Sequence, residues 1–184
     1  MYTKAEYEEQ YKRFNKLVKK DKIKTLMGYI STRLSKNTCL GYPVARFYYY
    51  QLSTTLWTIL TGENEVFKHL CEEKGYVITV DTEEGECGDL YADITSPDAE
   101  REAKIWNNIF SQGGIENFYK IIMTRLFKEG QENNDKHPTY IIHKDSCSKT
   151  VWEFVSNEEF LEMVKNDGWD VEVGPESFPY IIIS

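Results

Sequence analysis

Five carboxylates fall within residues 81–89: Asp81, Glu83, Glu84, Glu86 and Asp89, with Gly85 and Gly88 among them. Carboxylates this close are hard oxygen ligands, so a divalent cation is the first chemistry to weigh. The spacing departs from the calcium-loop pattern. Counted from Asp81, that pattern needs glycine at the sixth position and Glu at the twelfth, where the chain has Glu86 and Ala92. Asp89 or Asp93 followed by Glu102-x-Lys104 has the residue types of a metal-dependent nuclease. That chemistry wants Glu and Lys side by side on a strand, whereas residues 97–112 read as a helix, on which i and i+2 diverge. His69-x-Cys71 and His143-x-x-x-Cys147 are the close His/Cys pairs, and no second pair completes a zinc site. Cys71 lies on an apolar stripe and reads as core. Cys87 sits among acids that disfavour its thiolate. Gly113-Gly114 lacks the preceding strand and the G-K-[ST] of a phosphate loop and reads as a turn between helices. No catalytic constellation, metal site or cofactor is expected.

Charge is unevenly distributed. The chain has 184 residues, 30 acids and 22 Lys plus Arg, a formal charge of −8. Residues 75–100 hold eight of the acids and no Lys, Arg or His, so the rest of the chain is balanced. Asp98 and Glu100 follow Ser96-Pro97 and belong to a helix start. Asp81, Glu83, Glu84, Glu86, Asp89 and Asp93 remain as candidate partner-binding residues. The opposite bias occurs earlier: Lys12, Arg13, Lys16, Lys19, Lys20, Lys22 and Lys24 crowd residues 12–24, where Asp21 is the lone acid. This basic stretch is a solvated helix face, a contact for nucleic acid or partner, or a counterweight to the acidic segment. The 13 tyrosines suit a core edge or a binding surface, since tyrosine is apolar with a polar tip.

The elements that must position these residues follow from periodicity and punctuation. Residues 3–20 predict a helix with a Thr3/Glu6 capping box, and Asp21 is expected to start a second. Residues 43–61 predict the most apolar helix, and residues 63–74 a shorter one closed by Gly75. Residues 76–94 predict a β-hairpin whose loop carries the acids. Two helices flank Gly113-Gly114, and residues 131–138 resemble a linker. Residues 139–144 and 149–155 predict strands, Ser156/Glu159 a capping box, and residues 169–173 and 180–183 further strands. The expected fold is therefore α+β: a mainly helical region 1–130 bearing the acidic hairpin, then a small β-β-α-β-β region 139–184 packed on it. No internal repeat at a fixed period is visible. The polar N-terminus and free-thiol usage predict a cytoplasmic protein.

In size, acidity, lack of a catalytic motif and Lys/Asn/Ile-rich usage of low-GC bacterial kind, the chain resembles small acidic proteins of phages and mobile elements. Anti-CRISPR inhibitors of RNA-guided nucleases are among them. The resemblance is of class and rests on no shared motif. It implies a non-enzymatic inhibitor in a bacterial host cell. Such a protein acts as a DNA mimic that binds a basic nucleic-acid-binding protein or nuclease, alone or with its RNA or DNA. An immunity protein or antitoxin against a nuclease toxin fits the same surface, and a metal-dependent enzyme is the third alternative.

Overall fold

The computed structural model describes residues 4–81, 90–132, 137–177 and 179–184, without the side chains of residues 4–20 and 132. The chain is α+β, with six α-helices and two three-stranded antiparallel sheets among the described residues. It divides into two compact units, Met1–Ser35 with Ala45–Ser96, and Lys36–Val44 with Pro97–Ser184. The boundaries between them fall at Ser35/Lys36, Val44/Ala45 and Ser96/Pro97.

In the first unit, α1 (Lys4–Cys39) runs without the break expected at Asp21. One Asp inside a long helix costs only about 0.7 kcal/mol, and burial of Ile23, Leu26, Ile30 and Leu34 on one face outweighs that. The helix ends beyond this unit in a Schellman turn. Gly41 adopts φ 74°, and Tyr42 N donates to Asn37 O while Gly41 N donates to Thr38 O. The Thr3/Glu6 capping box lies outside the described side chains.

The helix expected over residues 43–61 is replaced by a strand β1 (Ala45–Tyr48), a 3-10 turn (Tyr49–Gln51) and a short helix α2 (Thr54–Thr61). Its aromatic residues satisfy a period of two: Ala45 and Phe47 are buried, while Arg46 and Tyr48 face outward. Pairing with a distant strand decided this, and helical periodicity could not reveal it. Helix α3 (Glu65–Glu73) ends at Gly75, φ 64°. The expected hairpin is present as β2 (Val77–Asp81) paired with β3 (Tyr91–Thr95), and β1 completes the sheet in the order β1-β3-β2.

In the second unit, α4 (Pro97–Glu132) bends at Gly114, whose φ of 67° and ψ of −172° separate the two helical limbs expected there. Then follow β4 (Tyr140–His143), a 3-10 turn, α5 (Lys149–Val155), α6 (Glu158–Asn166), β5 (Val171–Val173) and β6 (Tyr180–Ile183). Residues 149–155 are thus a helix, not a strand. Ser148 caps it by accepting from Val151 N, and Val151 and Val155 are buried four residues apart. Asn157, not Ser156, caps α6; the Ser156 hydroxyl donates to Trp152 O instead. The order is therefore β-α-α-β-β. The core joins Phe110, Phe118, Ile122 and Leu126 of α4 to Val151, Val155, Phe160, Val164, Ile142, Ile181 and Ile183.

The two units are built to one plan. Each follows a long helical stretch (α1, which runs on past Ser35, and the two limbs of α4) with a four-residue strand, a 3-10 turn, two short helices and two strands. Each sheet puts its last strand in the middle, β1-β3-β2 and β4-β6-β5. The sequence carries the echo. Ile30-Ser31-Thr32-Arg33-Leu34-Ser35-Lys36 of α1 matches Ile122-Met123-Thr124-Arg125-Leu126-Phe127-Lys128 of α4. Ser53-x-Thr55-Leu56-Trp57 matches Ser148-x-Thr150-Val151-Trp152, and both serines are helix caps. Asn64 and Asn157 cap the next helices, Phe67 and Phe160 are buried in them, and Gly75 and Gly168 end them with positive φ. Tyr49 N donates to Leu90 O as Lys144 N donates to Pro179 O. The chain thus contains an internal repeat. It was hidden because both copies' first strand-to-helix passages invite the wrong secondary structure, in opposite senses.

Candidate functional site

The first sheet has an inner and an outer face, and alternation assigns every residue to one of them. Ala45, Phe47, Ala92, Ile94, Ile78 and Val80 face inward, and four of these are at most 1% exposed. The outer face bears Arg46 and Tyr48 on β1, Tyr91, Asp93 and Thr95 on β3, and Val77, Thr79 and Asp81 on β2. Register sets two rows across it: Tyr48–Tyr91–Asp81 and Arg46–Asp93–Thr79.

Asp93 is held from two sides of a guanidinium. Arg46 Nε donates to Oδ1 at 2.8 Å and Nη2 to Oδ2 at 2.7 Å. The same guanidinium lies over the Tyr91 ring, 4.0 Å from its centroid. A fork-on-carboxylate pair that also stacks on an aromatic ring is a geometry only Arg provides. Arg33 repeats the theme beneath: it lies 4.3 Å over Phe47 and donates to Arg46 O at 2.6 Å and to Gln51 Oε1 at 2.8 Å. The Tyr91 hydroxyl donates to Asp81, which pushes the Tyr91 pKa up.

An aromatic cluster continues this face at the Asp81 end. Tyr48 stacks on Tyr50 at 5.5 Å and meets Tyr91 edge-on at 6.1 Å; Tyr49 meets Trp57 edge-on at 5.5 Å. Tyr49 N anchors the turn to Leu90 O. Tyr49 is 45% and Tyr50 63% exposed.

Among the acids expected to bind a partner, Asp81 ends β2 beside Tyr91 and Asp93 is clamped by Arg46. Glu83, Glu84, Glu86 and Asp89, like Cys87, lie outside the described residues. Lys12, Arg13, Lys16, Lys19, Lys20, Lys22 and Lys24 all belong to α1, so the basic stretch is one continuous helix rather than a helix–turn–helix. Lys24 is exposed and Lys22 half-buried. Sequence reasoning missed Arg46, Tyr48, Tyr49, Tyr50 and Trp57, because it placed all five on a helix. The alternation Ala45-Arg46-Phe47-Tyr48 was the available signal.

The other candidates stay apart. Glu102 and Lys104 lie on α4, both exposed. His69 Nε2 is 3.4 Å from Glu73 on α3. Burial raises the Cys71 thiol to about 11 and the Cys147 thiol to about 12, so both are inert at neutral pH. Among the described residues, no three His, Cys, Asp or Glu gather to hold a metal. An open cleft of about 480 Å³ along α2 and the link after it is lined by Thr54, Thr55, Thr58, Ile59, Gly62, Glu63 and Asn64; Asn64 there caps α3 and Glu63 pairs with Lys68.

No protein-family model, no curated protein and no solved structure matches this chain.

Proposed function

We propose that the chain is a non-enzymatic inhibitor that binds a basic nucleic-acid-binding protein or nuclease, such as an RNA-guided nuclease, through an acidic, nucleic-acid-mimicking surface. The observation that carries this reading is the concentration of acids in the sequence between β2 and β3. Both ends of that stretch are tethered at one end of a paired sheet, through Asp81 on β2 and through Leu90, which accepts from Tyr49 N. Glu83, Glu84, Glu86 and Asp89 lie between Asp81 and Leu90 in the sequence. Carboxylates this close in sequence compete for the Lys and Arg that a partner uses on phosphates, and the binding is salt-dependent for the same reason. The partner, with or without its RNA or DNA, is one met in the cytoplasm of a bacterial host cell. No helix among the described residues is long and apolar enough to cross a membrane.

The test is affinity capture from a bacterial lysate, with and without nuclease treatment, using the wild-type chain and the triple variant Glu83→Gln/Glu84→Gln/Glu86→Gln. The wild-type chain should retain a basic partner after nuclease treatment, and the triple variant should lose it while keeping its circular dichroism. Retention by the triple variant with unchanged salt dependence would sink the reading.

A further inference from the structure

The first limb of α4 is folded back on the second. Trp106 and Arg125 are nineteen residues apart, about 28 Å along a straight helix. Here the Arg125 guanidinium lies 4.4 Å from the Trp106 ring centroid, and the Phe110 and Phe118 rings meet edge-on at 5.2 Å. Phe110 is fully buried in the core that Phe118, Ile122 and Leu126 share, and Asn107 Nδ2 donates to Gly41 O at 2.8 Å. Residues 97–112 are therefore a limb closed on the body of their own unit, and one short joint makes the turn.

That joint depends on glycine twice. Gly114 has φ 67° and ψ −172°, a conformation closed to residues with a Cβ. A Cβ on Gly113 would stand 2.7 Å from Asn117 Cβ. The internal repeat holds the same module without the joint. Counted back from the matched Ile30 and Ile122, Gly113-Gly114 falls on Asp21-Lys22, and there α1 is one continuous helix. The matched arginines record the difference. Arg125 lies over Trp106 of the returning limb, whereas Arg33 lies over Phe47 of β1. One module thus occurs in a bent and in a continuous form, and the residues at the joint separate them.

We infer that Gly113-Gly114 is the hinge of an exchangeable limb, through which this chain engages a second copy of itself. With the hinge straightened, residues 97–112 leave their own body and close on that of the second copy, which returns its limb. Each copy then supplies Trp106, Asn107 and Phe110 to the other's core. Opening alone would leave Phe110 and Phe118 in water, and the limb of a second copy is the surface that matches what is uncovered. Every contact of the closed limb is remade in the exchange. The two forms therefore differ in the hinge backbone and in the cost of bringing two chains together. Glycine sets that balance: it adopts the positive φ freely and weakens a continuous helix, so it holds the limb on its own chain.

The test is size-exclusion chromatography with light scattering on the full chain. The wild-type chain should be monomeric at micromolar concentration and yield a dimer when refolded from denaturant at millimolar concentration. Gly113→Asp/Gly114→Lys, which installs the first copy's residues, should lower the dimer dissociation constant by more than about a hundredfold. Gly114→Ala should act in the same direction and serves if the double variant misfolds. In a mixture of isotope-labelled and unlabelled chains, an NOE between Phe110 of one chain and Phe118 of another should mark the dimer as limb-exchanged. A folded glycine variant that dimerises no more tightly than the wild-type chain would overturn the hinge. So would a dimer without that NOE, or a wild-type chain that refolds to monomer alone at millimolar concentration.

Discussion

The two sheets of this protein share strand order and inner-face character but differ on their outer faces. Where the first places Arg46 opposite Asp93, the second places Ile141 opposite Ile182. Tyr48 opposite Tyr91 becomes His143 opposite Tyr180, with ring geometry retained: edge-on contacts at 6.1 Å and 6.0 Å. Tyr91 donates to Asp81, and Tyr180 donates to Glu172 at 2.6 Å. Inward positions stay apolar in both: Phe47 and Ile142 on the first strand, Ile94 and Ile183 on the middle one. The scaffold requires the inner face, the caps and the glycine that ends the second short helix. It leaves the outer face unconstrained, and there the first unit has acquired charge and aromatic surface.

The largest effect should come from positions the two copies hold in common. Phe67→Ala and Phe160→Ala each delete a ring at most 1% exposed, and each should cost about 3–5 kcal/mol in denaturant unfolding. If one were tolerated at under about 1 kcal/mol, the copies would not share a core design.

A smaller effect should come from the outer pair. Asp93→Ala strands the Arg46 guanidinium and should cost about 1–2 kcal/mol. The double change Arg46→Ile/Asp93→Ile imports the second copy's pair and should restore most of that loss, since an apolar pair of similar volume replaces a half-buried ion pair at little net cost. A double variant as unstable as Asp93→Ala would show that the ion pair, not the strand register, holds β1 to β3.

The smallest effect concerns pH. Burial, and then a hydrogen bond to Asp167, raise Tyr119 to about 12, while hydrogen bonds to carboxylates raise Tyr91 and Tyr180. Each folded state holds its phenolic proton more tightly than the unfolded chain does. The stability is therefore fully present below about pH 10 and is lost as pH rises through the folded values, for Tyr119 between about 10 and 12. Tyr119→Phe should flatten that decline in thermal melts from pH 9 to 12. A decline of unchanged slope would assign it to other groups.

Much of the architecture was legible locally. The stop at Gly75, the start at Ser96-Pro97, the bend at Gly113-Gly114 and the pairing of β2 with β3 all rest on signals a few residues long. The acidic residues were legible as composition, although Asp93 belongs to an internal clamp that composition conceals. Residues 43–61 and 149–155 were misread because short apolar runs fit both periods, and only burial against distant elements chooses between them. That choice also hid the repeat.

By itself, the sequence determined the helix stop at Gly75 and the start at Ser96-Pro97, which residues are apolar enough to be buried, and that negative charge is concentrated in one segment. Those properties depend on backbone sterics, capping and composition, which act over a few residues. The tertiary structure decided that Arg46 meets Asp93, that Tyr48 and Tyr91 share a row with Asp81, and that one plan is used twice. Strand pairing joins residues some fifty positions apart through backbone hydrogen bonds that every sequence offers equally. Which strands pair is therefore settled by what they bury together, and that is a property of the whole chain.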